Sequence, residues 1–247
     1  MKQRLTKPRS VLFEQPTNER EHFSAASLRR LLRTLPSWNR WPILSSSGSS
    51  LVERLRSIAE IVIWGDQHDA AIFSVFQKEN GLGRLMRILK RKSNHCGPVA
   101  VQILQTFAML VQNLRTKESL AYLLSHEATR QIISMDFDFS DEEVLGYYVS
   151  FVKSISFKLN ESSVMSFMRK QSSRSDAIEM PLFSEVTKFV NNPENMVRAA
   201  ARTLTLSIMG LKNEMVDRFL VSNESRGFFR NQVSNLHNKG QSLVFTA

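Results

Sequence analysis

The 247-residue sequence contains a single cysteine, Cys96. One thiol can form neither an internal disulfide nor a four-ligand zinc site, so a reducing compartment is the simplest reading. No window approaches the roughly 20 apolar residues of a membrane-spanning helix, so any membrane contact is expected to be peripheral. The basic start MKQRLTKPRS is not followed by the apolar run of a secretory signal. The phosphate loop GxxxxGK[ST] is missing, and Gly81-Leu82-Gly83 lacks the further glycine and preceding strand of a dinucleotide turn. The five histidines fall in no HExxH spacing. His95 adjoins Cys96, but neighbours on a loop rarely converge as nucleophile and base, and no third group orients them. Asp136, Asp138, Ser140 and Glu142 resemble a calcium loop, yet Asp141 stands where glycine is required and Tyr147 where the bidentate glutamate belongs. Helix capping by acids explains that cluster better. The sequence thus offers no catalytic residue, metal site, cofactor or small-molecule substrate.

Charge and apolar residues are what the chain does have. The net charge is +10, with nine basic and three acidic residues in positions 1–50, so that segment carries +6 and the rest +4. A basic arm of this kind attracts anionic lipid, nucleic acid or acidic proteins about equally. Residues 1–21 are poor in apolar residues and are expected to be disordered. Leu28, Leu31, Leu32 and Leu35 mark a short amphipathic helix, and Ser45–Ser50 reads as a flexible linker. The expected organisation is an arm over 1–49, a helical domain over 50–238 and a disordered tail over 239–247.

From Ser50 onward the punctuation is helical. Ser50/Glu53 and Ser140/Glu143 read as capping boxes. The first opens a helix expected to stop near Trp64-Gly65. The second opens a central rod over 139–159, with Val144, Leu145, Tyr148, Phe151, Val152, Ile155 and Leu159 on one stripe. Asp69 caps a helix ending near Gly81, and another is expected over 82–92. Pro98 opens VAVQILQTFAMLVQNL, and shorter helices follow at 117–124 and 127–134. Ser163–Met168 makes one or two turns, 169–179 is a polar loop, and Pro181 opens the next helix. Asn192-Pro193 caps and starts a long helix, with two more at 214–221 and 227–236. No strand pair is expected. Three long apolar helices, each preceded by shorter ones, predict an all-α, armadillo/HEAT-like helical solenoid, with an irregular bundle as the alternative.

The one cluster with functional content is Arg84, Arg87, Lys90, Arg91 and Lys92. Arg84, Arg87 and Arg91 share a helix face opposite Leu85, Met86, Ile88 and Leu89. A solvated face with cations suited to a helix C-terminus is one reading. The other is a patch for an anionic membrane or acidic partner, each cation near a charged leaflet contributing about 1 kcal/mol. Nucleic acid is the weaker partner, because the cluster has no interleaved aromatics. A nucleic-acid-binding module using the basic arm and a ubiquitin-pathway accessory protein stand as rival functions.

The segments SLVERLRSIAEIVIWGDQHDAAIFSVF, VAVQILQTFAMLVQNL, SLAYLLSHE, FDFSDEEVLGYYVSFVKSISFKLN and NNPENMVRAAARTLTLSI, in that order, resemble the FPL-domain family over roughly residues 50–221. Its animal members include the endosomal maturation protein Ema and a relative misnamed for a C-type lectin domain. The family's naming motif falls at Met180-Pro181-Leu182, a structural element, with methionine in place of phenylalanine. The resemblance implies an armadillo-like cytosolic protein, peripheral on endosomal, lysosomal or Golgi membranes. It would be a non-enzymatic scaffold in endosome maturation, lysosomal trafficking and autophagy, with trafficking and autophagy proteins as partners. Family members run on for hundreds of residues, so this chain is expected to be a truncated product, a short isoform or an incomplete gene model.

Overall fold

A computed structural model describes residues 22–36, 47–172 and 175–244. The arm at 1–21 and the serines 45–46 lie outside them. The described residues form an all-α protein of twelve α-helices with one small hairpin. The first, α1 (Ala25–Thr34), is the expected amphipathic basic helix. It does not trail from the arm: Leu28 and Leu32 are fully buried against α2 (Ser47–His68) and α3 (Ala70–Lys78).

Two expectations for α2 are corrected. Ser47–Ser50 is its first turn rather than linker, and the helix continues through Gly65 to His68. Gly65 is needed for proximity, not for a helix stop: a Cβ there would lie 2.5 Å from Cβ and Cγ2 of Ile72 on α3. Asp69 caps α3 as expected, its carboxylate accepting from the Ala71 N–H at 3.0 Å. The left-handed residue that follows is Asn80 (φ 50°), not Gly81, and its side chain also caps α4 (Gly81–Leu89) through the Gly83 N–H. Helix α4 thus ends earlier than expected, before a 3-10 turn at Lys92–Asn94.

Pro98 sits in the first turn of α5 (Gly97–Asn113). Then come α6 (Lys117–Ser125), α7 (Glu127–Ile133) and the central rod α8 (Glu142–Ser156). The α8 cap is Asp141, which accepts from the N–H groups of Glu143 and Val144. Ser140 instead donates to Asp138, because the carboxylates of Asp138 and Asp141 are stronger acceptors than a hydroxyl. The rod is shorter than expected, and Phe157 beyond it is 69% exposed.

The stretch 169–179, expected as a loop, contains an antiparallel pair, β1 (Arg169–Ser172) with β2 (Ser175–Glu179). Ile178 is its buried anchor and Arg169 reaches Glu127 at 3.7 Å. A pair this short in the polar stretch RKQSSRSDAIE shows no apolar alternation in sequence. Helices α9 (Pro181–Thr187), α10 (Asn195–Met209), α11 (Glu214–Leu220) and α12 (Asn223–Val244) complete the chain. Asn192 tightens the turn before α10, whereas Glu194 holds the cap position.

The long helices α2, α5, α8 and α10 lie side by side in chain order, with α4, α7 and α9 forming a second row. Apolar side chains from both rows make one continuous core. At the α5–α8 contact, Phe107 meets Phe151 edge-on at 5.9 Å, and burying each ring contributes about 1.5–3 kcal/mol. The long helices run parallel. Gly97 and Asp141 join the starts of α5 and α8, and Gln112 and Ser154 join their ends. Asp66 ties the end of α2 to the residues just after α5. Asn213, beyond α10, donates to the Glu161 carbonyl beyond α8. One edge therefore collects the N-terminal ends of α5 and α8, and the opposite edge collects the C-terminal ends of all four. No helix among the described residues is long and apolar enough to cross a membrane.

Candidate functional site

The cationic cluster on α4 divides in two. Leu85, Met86, Ile88 and Leu89 are buried as the spacing required, which turns the cations outward. Arg84, however, is tied into the fold. Its guanidinium donates to the Glu79 carbonyl (2.8 Å), the Leu32 carbonyl (3.2 Å) and the Glu79 carboxylate (3.2 Å). Glu79 also meets Arg29 and Arg33 of α1, so this group clamps α1 to α4. Arg87, Lys90 and Lys92 are exposed and Arg91 is half-buried.

Beside them, His95 braces the N-terminal edge. Nδ1 lies 2.7 Å from the Asp136 carbonyl and Nε2 lies 2.8 Å from the Leu89 carbonyl. With both ring nitrogens so placed, neither is turned to the exposed Cys96 as a base. The acids nearby are structural. Asp141 accepts from Gly97, Val144 and Glu143 N–H groups, and these bonds hold its carboxyl below the usual range. The Ser140 hydroxyl and N–H do the same for Asp138. Met180 and Leu182 are fully buried around Pro181, the first residue of α9, and Phe183 stacks edge-on with Phe219 and Phe228.

The opposite edge carries features that sequence reasoning missed. Asp66, 8% exposed, accepts from the N–H groups of Arg115 (2.7 Å) and Thr116 (3.2 Å) and from the Thr116 hydroxyl (2.6 Å). Burial alone would raise its carboxyl, but the bonds from Thr116, Ser119 and Arg115 outweigh it and leave the pKa lowered. His126 caps α7, its Nδ1 accepting from the Ala128 N–H at 3.0 Å. Burial, then the charge of Arg130, pushes its pKa down against the pull of Glu127.

Also on this edge, a groove of about 360 Å³ opens between α6 and residues 158–166. Lys117 and Lys158 line it with Ser162 and Ser166, over a floor of Leu120 and Leu124. Lys212 stands across the same turn, in a shallower depression shared with Leu159 and Ser162. These lysines are far apart in sequence, but each lies two to four residues past a long helix, ending at Asn113, Ser156 and Met209. That recurrence was the available signal. It is weaker to the eye than five cations within nine residues.

The FPL family, described as an uncharacterised conserved protein, matches residues 55–209, from within α2 to the last residue of α10. Over 191 residues the chain is 41% identical to the Drosophila melanogaster protein CLEC16A homolog, covering 77% of this chain and 17% of that protein. It is 40% identical to Homo sapiens CLEC16A over 185 residues, 74% of this chain and 17% of the relative. Against Arabidopsis thaliana TRANSPARENT TESTA 9 it is 36% identical over 216 residues, 87% of this chain and 25% of the relative. The chain thus spans a quarter or less of the length of these relatives. No solved structure matches it significantly.

Proposed function

The chain belongs to the FPL family, and from that premise we propose that it is a helical scaffold in membrane trafficking and autophagy. It works by binding rather than by catalysis, joining trafficking proteins at the surface of endosomal or lysosomal membranes from the cytoplasmic side. The observation that carries this reading is the match over residues 55–209, which takes in nearly all of the four-helix stack. Resemblance to endosomal maturation proteins supports the trafficking assignment. The side chains with unusual surroundings, Asp66, His126 and Asp141, each hold backbone N–H groups, which fits a frame built to present surfaces. Arg87, Lys90 and Lys92 are the members of the α4 cluster open to an acidic protein partner.

The test is to image the tagged chain, expressed at native level, beside endosomal, lysosomal and nuclear markers. Punctate overlap with endolysosomal membranes is expected. A diffuse or nuclear signal would overturn the reading for residues 1–247.

A further inference from the structure

The edge that gathers the C-terminal ends of the long helices has three properties that point to one kind of ligand. First, its cations are unpaired. Lys117, Lys158 and Lys212 form no ion pair among the described residues, whereas Arg84, Arg130 and Lys188 do. Lys158 and Lys212 suit the helix ends they follow, but Lys117 occupies the first residue of α6, where the helix dipole disfavours a cation. An anion bound in the groove would offset that cost. Second, the lysines form a row. They stand two to four residues past the ends of adjacent parallel helices, whose axes lie roughly 8–10 Å apart. A line of charges suits a flat anionic surface better than a single compact ion. Third, large apolar side chains project beside them: Phe157 is 69% exposed and Met165 is 42% exposed. Asn213 lies 3.7 Å from the Met165 sulfur, which places that side chain at the Lys212 turn. Acids border the row as well: Asp66 is bonded to Thr116 beside Lys117, Glu118 follows Lys117 in the chain, and Glu161 lines the depression that holds Lys212, while Arg115 adds positive charge two residues before Lys117.

Resting on the peripheral-membrane part of the function proposed above, we propose that this edge docks on anionic phospholipid. Lys117 and Lys158 take a headgroup phosphate in the groove, where the Ser162 and Ser166 hydroxyls can donate to it. Lys212 holds a neighbouring headgroup. Phe157 inserts at the base of the headgroup layer, as exposed aromatics do at membrane interfaces.

The experiment is co-sedimentation of the full chain with phosphatidylcholine vesicles with and without phosphatidylserine. The comparison set is Lys117→Gln/Lys158→Gln/Lys212→Gln, Phe157→Ser and Arg87→Gln/Lys90→Gln/Lys92→Gln, each checked for an unchanged melting curve. With each cation contributing about 1 kcal/mol, the lysine triple variant should partition roughly 100-fold less well. Phe157→Ser should lose about tenfold, and the α4 variant should change less than twofold. If only the α4 variant loses binding, the lysine edge is rejected while peripheral membrane attachment stands. If the wild type ignores anionic vesicles, that attachment fails and this site with it. Soluble glycerophosphoserine separates the remaining source. Loss of its binding in the triple variant with vesicle partition unchanged would make the groove a free-phosphate site and overturn the lipid assignment.

Discussion

Removing the Asp66 carboxylate tests whether one buried acid locks the end of α2 to the α5–α6 junction. Asp66→Ala deletes the acceptor for three donors, the N–H groups of Arg115 and Thr116 and the Thr116 hydroxyl. A hydrogen bond to a charged group is worth roughly 1.5–3 kcal/mol, so the simple sum would exceed 4. Arg115 and Thr116 are exposed, however, and water can replace part of what is lost, which brings the expectation to about 3 kcal/mol. Urea unfolding followed by circular dichroism reads this directly. With an m-value of about 3 kcal/mol/M, the midpoint should fall by roughly 1 M. The pH dependence carries the sign. Because the folded-state pKa lies below the ordinary 3.8, the stabilisation is complete above that value and is lost as pH falls through the lowered one. The gap between wild type and variant should therefore be constant from neutral pH to about pH 5 and shrink below about pH 4. A midpoint shift under about 0.3 M at pH 7, or a gap that does not shrink in acid, would refute the clamp.

Four further perturbations separate framework from surface. Arg84→Met keeps the aliphatic stem but frees the Leu32 carbonyl and the Glu79 carboxylate, and should cost about 1–2 kcal/mol with faster amide exchange in α1. Arg87→Met, at an exposed position, should stay within about 0.5 kcal/mol by the same urea titration. Gly65→Ala drives a methyl to within 2.5 Å of the Ile72 Cβ, close to the backbone, so α2 and α3 must separate at about 1–3 kcal/mol, read as a lowered melting temperature. His126 caps α7 in its neutral form, and its folded pKa lies below the ordinary 6.5. Its contribution is whole above that value and fades as pH falls through the lowered one. His126→Asn keeps a cap without the titration, so it should lose less melting temperature than wild type between pH 7.5 and pH 5.5.

The helices and their order were legible because apolar spacing and cap residues are local properties. Asp69, Pro98 and Pro181 sit at helix starts as their chemistry requires. Failures arose where a tertiary neighbour overrode local preference. Gly65 looked like a helix end in isolation, yet its small size lets α3 approach while α2 runs on. Ser47–Ser50 looked like linker, but a serine-rich turn can start a helix whose remaining face is well buried. Arg84 looked like a surface cation because Leu32, its acceptor, is far away in sequence.

The same distinction separates the two cationic surfaces. The α4 cluster is conspicuous because its members are contiguous, and contiguity on one helix needs no fold to create it. Lys117, Lys158 and Lys212 become a row only because α5, α8 and α10 run parallel and in order, which carries the segments after them to one edge. A stack of parallel helices repeats whatever follows each helix, so a single residue type placed there becomes a linear array without any local motif. The apolar companions follow the same logic. Phe157 ends the central helix one residue beyond its last turn, where it leaves the stripe that buries Tyr148, Phe151 and Ile155 and faces outward. An aromatic side chain released from the core at the edge where unpaired lysines align is the combination that a charged, partly apolar lipid surface can satisfy at once.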